Sequence, residues 1–115
     1  MSVAFVFPGQ GSQAVGMLSS LVGRPEVDAL VARADAALGA PLLSKVIAEG
    51  PAEELALTTW TQPAMLLAGM ANLAAWRAEG GPEPDFVAGH SLGEYTALVA
   101  AGSLDVDTAV KLVRL

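Results

Sequence analysis

The chain contains no cysteine, which excludes a disulfide framework and a thiolate zinc site. It has a single histidine, so the usual ligand set of a structural metal is missing as well, and no metal is expected. Charge is scarce: 16% of residues are charged, against the usual quarter, and only six of those are Lys or Arg. Six scattered cations under a net charge of −6 cannot build the basic face of a nucleic-acid binder, so no nucleic-acid partner is expected. The N-terminus lacks the basic n-region of a signal peptide, and Met1 to Phe7 reads as a strand. The longest apolar stretch, Ala64 to Ala75, holds Asn72 and falls short of a membrane span, so no membrane partner is expected. The expected setting is cytoplasmic.

What the chain does have is apolar bulk. Hydrophobic residues make up 53% of its 115 positions, enough for one small domain built from buried helices and buried strands. So apolar a chain needs something to cover the excess surface, either more chain or another subunit. Val3-Ala4-Phe5-Val6-Phe7, stopped by Pro8-Gly9, reads as a strand buried on both faces, and Phe86-Val87-Ala88 as a second. Helices are expected over Glu26 to Leu38, closed by Gly39, over Leu42 to Glu49, over Ala52 to Leu57, and over Thr61 to Glu79. Two more are expected, from about Leu92 to Ala101 and from an Asp105 cap to the chain end. The order predicts an α/β fold with a parallel sheet. Two strands are too few for such a sheet, and the apolar stripe of Val106, Ala109, Val110 and Val113 still runs at Leu115. Both features read as a domain cut short.

Gly89-His90-Ser91-Leu92-Gly93 lies between the second strand and a helix. A nucleophile elbow needs this arrangement: a serine on a tight strand-to-helix turn lifts its hydroxyl clear of the sheet, and flanking glycines admit the close backbone crossing. The helix N-terminus offers N–H groups where an oxyanion would form. A second reading competes. Ser91-Leu92-Gly93-Glu94 is also a capping box, with Ser91 as a plain N-cap. His90 is adjacent to Ser91 on a sharp turn, so its ring points away, and a packing role beside the turn is expected instead of a basic one. The first strand runs into Gly9-Gln10-Gly11-Ser12-Gln13-Ala14, which fits G-x-G-x-x-A, a dinucleotide fingerprint. That fingerprint also asks for an acidic residue ending a second strand, whereas Asp28 and Asp35 lie in a helical pattern. The loop reads better as the source of a second oxyanion N–H.

Phe5-Val6-Phe7-Pro8-Gly9-Gln10-Gly11-Ser12-Gln13, then Thr61-Gln62-Pro63-Ala64, then Gly89-His90-Ser91-Leu92-Gly93-Glu94-Tyr95 together resemble the malonyl-CoA:acyl-carrier-protein transacylase family, along the whole chain. The acyltransferase domains of polyketide synthases are similar too, but the opening at Met1 and the Gly93-Glu94-Tyr95 run look more like the free-standing bacterial enzyme. The resemblance implies an incomplete α/β-hydrolase-like parallel-sheet acyltransferase domain. Residues 1–115 would be the N-terminal segment of its large subdomain, truncated before a small ferredoxin-like subdomain. It implies ping-pong transfer of malonyl from coenzyme A to the phosphopantetheine thiol of acyl carrier protein, in fatty acid biosynthesis, through a seryl ester. Malonyl-CoA would be the substrate and acyl carrier protein the partner, with no bound cofactor. Carried over by position, Ser91 is the nucleophile, the backbone N–H groups of Gln10 and Leu92 form the oxyanion hole, and Gln62 lines the pocket. Gln62 reads equally well as a polar residue at a helix start before Pro63. The family's catalytic histidine would lie beyond this chain, and its carboxylate-binding arginine immediately after Leu115. Arg114 is not that arginine; with Asp107 and Lys111 it reads as an ion-pair row on the solvated face of the last helix. Two other readings stand beside the transferase: a serine hydrolase or esterase sharing the elbow, and a catalytically dead fragment.

Overall fold

Residues 2–114 are described by the computed structural model; Met1, and Leu115 with the expected end of the apolar stripe, lie outside the described residues. Two strands, β1 (Ala4–Phe7) and β2 (Phe86–Gly89), pair in parallel, with Ala4 opposite Phe86 and Phe7 opposite Gly89. Between them run α1 (Pro25–Leu38), α2 (Leu42–Glu49), α3 (Ala52–Leu55) and α4 (Thr58–Ala78), and after them α5 (Gly93–Ala100) and α6 (Val106–Arg114). The α/β order and the parallel pairing match the expectation.

Local chemistry accounts for several boundaries. Pro25 opens α1, where its missing N–H costs nothing, and Gly39 closes it at φ 82°, a conformation that favours glycine. Asp105 caps α6 by accepting the Thr108 N–H at 2.8 Å. The core lies in the helical layer: Val27 of α1, Leu43 of α2, Leu55 of α3, Leu66 and Leu67 of α4 and Val110 of α6 are all fully buried together. No helix among the described residues is long and apolar enough to cross a membrane.

The strands depart from expectation. They were expected to be buried on both faces, but only Phe7 is buried. Side chains alternate across a strand. Phe5 and Phe7 turn toward α4, where Phe5 meets Trp76 edge-on at 5.6 Å between ring centroids and Phe7 lies against Gly69. The opposite face carries Val6 and Phe86, which are 73% and 66% exposed. Their apolar character suits a covered face, and nothing among the described residues covers it.

Helix limits shift as well. α3 stops at Leu55, two residues early, and α5 starts at Gly93 and stops at Ala100. α4 begins at Thr58, three residues before the expected Thr61, and so carries Pro63 within it instead of near its start. Thr61 helps this early turn to form: its buried hydroxyl shares its one proton between the carbonyls of Leu55 and Leu57, tying the turn to the preceding chain.

Candidate active site

β2 ends at Gly89 and α5 begins at Gly93, so the chain reverses within three residues. Ser91 makes that reversal at φ 56°, the one described residue other than glycine with positive φ. A side chain in this left-handed region costs about 1–2 kcal/mol. The turn is closed by backbone bonds from Gly93 to the His90 carbonyl, Glu94 to Ser91 and Tyr95 to Leu92, at 2.9 to 3.0 Å. The capping-box reading of Ser91 fails here. An N-cap residue takes extended backbone and its side chain accepts an N–H, whereas Ser91 is left-handed and Leu92 occupies the cap position without any side-chain bond.

The glycines explain themselves by contact. A Cβ on Gly93 would collide with the Phe7 carbonyl, and one on Gly89 would collide with the backbone of Gly93 and Glu94. A Cβ on Gly9 would stand 2.8 Å from the His90 carbonyl oxygen and 3.4 Å from the Ser91 Cβ. The glycine loop after β1 therefore passes directly against the elbow after β2, as neighbouring parallel strands allow. His90 donates its N–H to the Phe7 carbonyl at 3.2 Å, extending the ladder by one residue.

The backbone donors of Gln10 and Leu92 are among those that stay open around Ser91. In the glycine loop the Gly11 N–H is taken by the Gln13 side chain at 2.8 Å, but the Gln10 N–H has no acceptor among the described residues. At the elbow the Leu92 N–H is likewise unclaimed. Ser91 is exposed, and its hydroxyl has no hydrogen-bond partner among the described residues. His90 is also exposed, so the packing role expected of its side chain is not what the structure shows. Gln62 sits half-buried in the second turn of α4. Thr58, one turn before it on the same helix face, accepts a hydrogen bond from the Gln10 side chain at 3.4 Å. A concavity of about 530 Å³ lies between β1 and Met65, Gly69 and Trp76 of α4, and one of about 620 Å³ lies against β2 and α5, lined by Gly89, Glu94 and Tyr95.

The acyl transferase domain model matches residues 4–115. The chain belongs to the acyl transferase domain family. It is 52% identical over 113 residues to the malonyl CoA-acyl carrier protein transacylase of Escherichia coli (strain K12), covering 97% of this chain and 36% of that protein. The crystal structure of acyl-carrier-protein S-malonyltransferase from Burkholderia pseudomallei 1710b superposes with a TM-score of 0.94 at 55% identity, covering 99% of this chain and 37% of that one. A type II PKS acyl-carrier protein in complex with its malonyl-transacylase matches with a TM-score of 0.91 at 47% identity, covering 99% and 37%. The chain thus spans little more than a third of these acyltransferases.

The ion-pair row expected on α6 does not form. Asp107 pairs instead with Arg33 of α1 at 3.2 Å. Arg114 leaves the row for α4, where it lies over the Trp60 ring at 3.9 Å from the centroid and donates to the Thr59 carbonyl at 2.8 Å. Sequence reasoning passed over this contact, although Pro63 held a signal. A proline inside a helix cannot donate to the carbonyl four residues back, which here is Thr59.

Proposed function

We propose that the intact protein transfers malonyl from malonyl-CoA to acyl carrier protein, with Ser91 as nucleophile. The observation that carries this reading is the left-handed Ser91 at φ 56° between β2 and α5, which holds an unbonded hydroxyl beside two free backbone N–H groups. The names of the relatives supply the acyl group and the carrier. The segment would be the N-terminal part of a large α/β-hydrolase-like acyltransferase subdomain, working in the cytoplasm without a bound cofactor.

In the first half-reaction the Ser91 oxygen attacks the thioester carbonyl. The oxyanion of the tetrahedral intermediate accepts the Gln10 and Leu92 N–H groups. The C–S bond breaks, coenzyme A leaves as its thiol with the serine proton, and a malonyl ester remains on Ser91. In the second half-reaction the carrier's phosphopantetheine thiol attacks that ester, and Ser91 recovers its proton. The proton must pass through a general base. His90 is adjacent in the chain and exposed, and no other histidine is present, so the proposal assigns the base and the carboxylate-binding arginine to residues outside this segment. Gln62 is assigned to the pocket wall on the strength of its place one turn beyond Thr58.

The test is to incubate the intact protein with labelled malonyl-CoA and locate the adduct by mass spectrometry. An ester on Ser91 is expected. Ser91→Ala should lose it, together with about three orders of magnitude or more of transfer. His90→Ala should keep the adduct and most of the rate. A label on another residue, or one surviving in the alanine variant, overturns the assignment; an ester that forms but passes only to water points to a hydrolase.

A further inference from the structure

Pro63 is the sixth residue of α4. Lacking an N–H, it leaves the Thr59 carbonyl without its helical donor, and its ring crowds the same carbonyl. Such a defect is costly when no other donor replaces the lost one. Here the replacement comes from 55 residues away: the Arg114 guanidinium, in the last turn of α6, donates to the Thr59 oxygen at 2.8 Å while stacking over Trp60 at 3.9 Å. Stacking and donation together need a flat, rigid cation, and that is arginine's shape and not lysine's.

The turn held in this way is the one that reaches the candidate site. Thr58 precedes Thr59, and its hydroxyl accepts from the Gln10 side chain at 3.4 Å. Gln62 follows one turn later on the same face. We infer that Arg114 is a positioning residue: by occupying the carbonyl that Pro63 orphans, it sets the first turns of α4 and, through Thr58, the place of Gln10 beside Ser91. The inference rests on the proposed assignment of Ser91 and the Gln10 N–H. It gives Arg114 no contact with substrate.

An oxyanion donor acts on the transition state, so displacing it lowers kcat and leaves KM nearly unchanged. In the intact protein, Arg114→Met keeps much of the side chain's apolar bulk and removes both the donor and the cation. We expect malonyl transfer to fall about 5- to 10-fold in kcat with KM little altered. Arg114→Lys, the milder variant should the first fold poorly, is expected to fall roughly 2- to 4-fold. Pro63→Ala gives Thr59 back its helical N–H, so the double variant Arg114→Met with Pro63→Ala should recover most of the lost kcat. That rescue separates positioning from general support, because a merely structural arginine would lower the melting temperature and leave the folded enzyme's kcat alone. An unchanged kcat in Arg114→Met, or a double variant no better than the single, overturns the inference. Ser91→Ala run alongside tells the two failures apart. A surviving malonyl adduct sinks the Ser91 assignment and this inference together, whereas its loss beside an unaltered Arg114→Met sinks this inference only.

Discussion

Ser91 is held in a conformation that costs a side chain energy, at φ 56° between glycines that admit nothing larger. Replacing Ser91 with Ala or with Gly removes the hydroxyl in both cases, so a comparison of the two isolates the backbone. Glycine relieves about 1–2 kcal/mol of left-handed strain and returns about 0.4–1 kcal/mol through the greater freedom of the unfolded chain. Ser91→Gly should therefore be more stable than Ser91→Ala by about 1 kcal/mol, read as a higher urea midpoint at the same slope. A Ser91→Gly midpoint below that of Ser91→Ala would mean the turn is not strained, because only the freedom of the unfolded chain would then separate the two. The same angle explains what the sequence left open at this residue. Gly-x-Ser-x-Gly and Ser-x-x-Glu overlap letter for letter, and an elbow differs from a cap only in the backbone angle of Ser91, which no spacing encodes. The strand ahead of it and the glycines beside it were legible because contact forbids any Cβ there. Arg114 was not legible, since its partners on α4 lie 55 residues away and its own helix offered Asp107 and Lys111 at ion-pair spacing.

Elements with a local cause were readable, and those with a tertiary cause moved. Gly39 and Asp105 end and begin helices through their own backbone and side-chain bonds, and both fall where expected. The start of α4 moved because Pro63 is a poor interior residue in isolation and a tolerated one once Thr61 and Arg114 supply bonds around it. Asp105 carries a pH prediction for α6. The Thr108 backbone N–H holds its carboxylate below the ordinary carboxylate range, with the Thr108 hydroxyl and the charges of Arg33 and Lys111 acting the same way. A folded value below the unfolded one stabilises fully above the unfolded value, and that stabilisation drains away as pH falls through the folded one. Asp105→Asn keeps a capping oxygen without the titration, so its stability should lose less on acidification from neutral pH toward the carboxylate range. Asp105→Ala should melt lower by roughly a few degrees at neutral pH. Thermal melts of the three proteins across that range check both outcomes, and parallel acid limbs for aspartate and asparagine would refute the linkage.

At the scale of the molecule, the core lies among the helices and one face of the sheet stays open. One face of β1 rests on α4, while the other presents Val6 and Phe86 to solvent along two strands. A parallel pair normally has both faces covered, and apolar area left uncovered forfeits about 25 cal/mol per Å². Unpaired strand edges are templates for other chains. A polypeptide of residues 1–115 made by itself should therefore associate through this sheet, eluting early from a sizing column and melting with low cooperativity. Replacing Val6 and Phe86 with Thr, which keeps strand propensity and lowers the apolar area, should shift the eluate toward monomer. The same polypeptide should not turn over malonyl-CoA. Ser91 has its turn and its neighbouring N–H groups, but a neutral hydroxyl attacks slowly without a base. The one histidine present, His90, is exposed and adjacent to Ser91 in the chain, whereas the base of a serine triad comes from a distant part of it. Association and silence have separate causes, so they can fail separately. A monomeric, cooperative melt would show that the open face costs less than its apolar area implies, and transfer near the rate of the intact protein would put the base within these 115 residues.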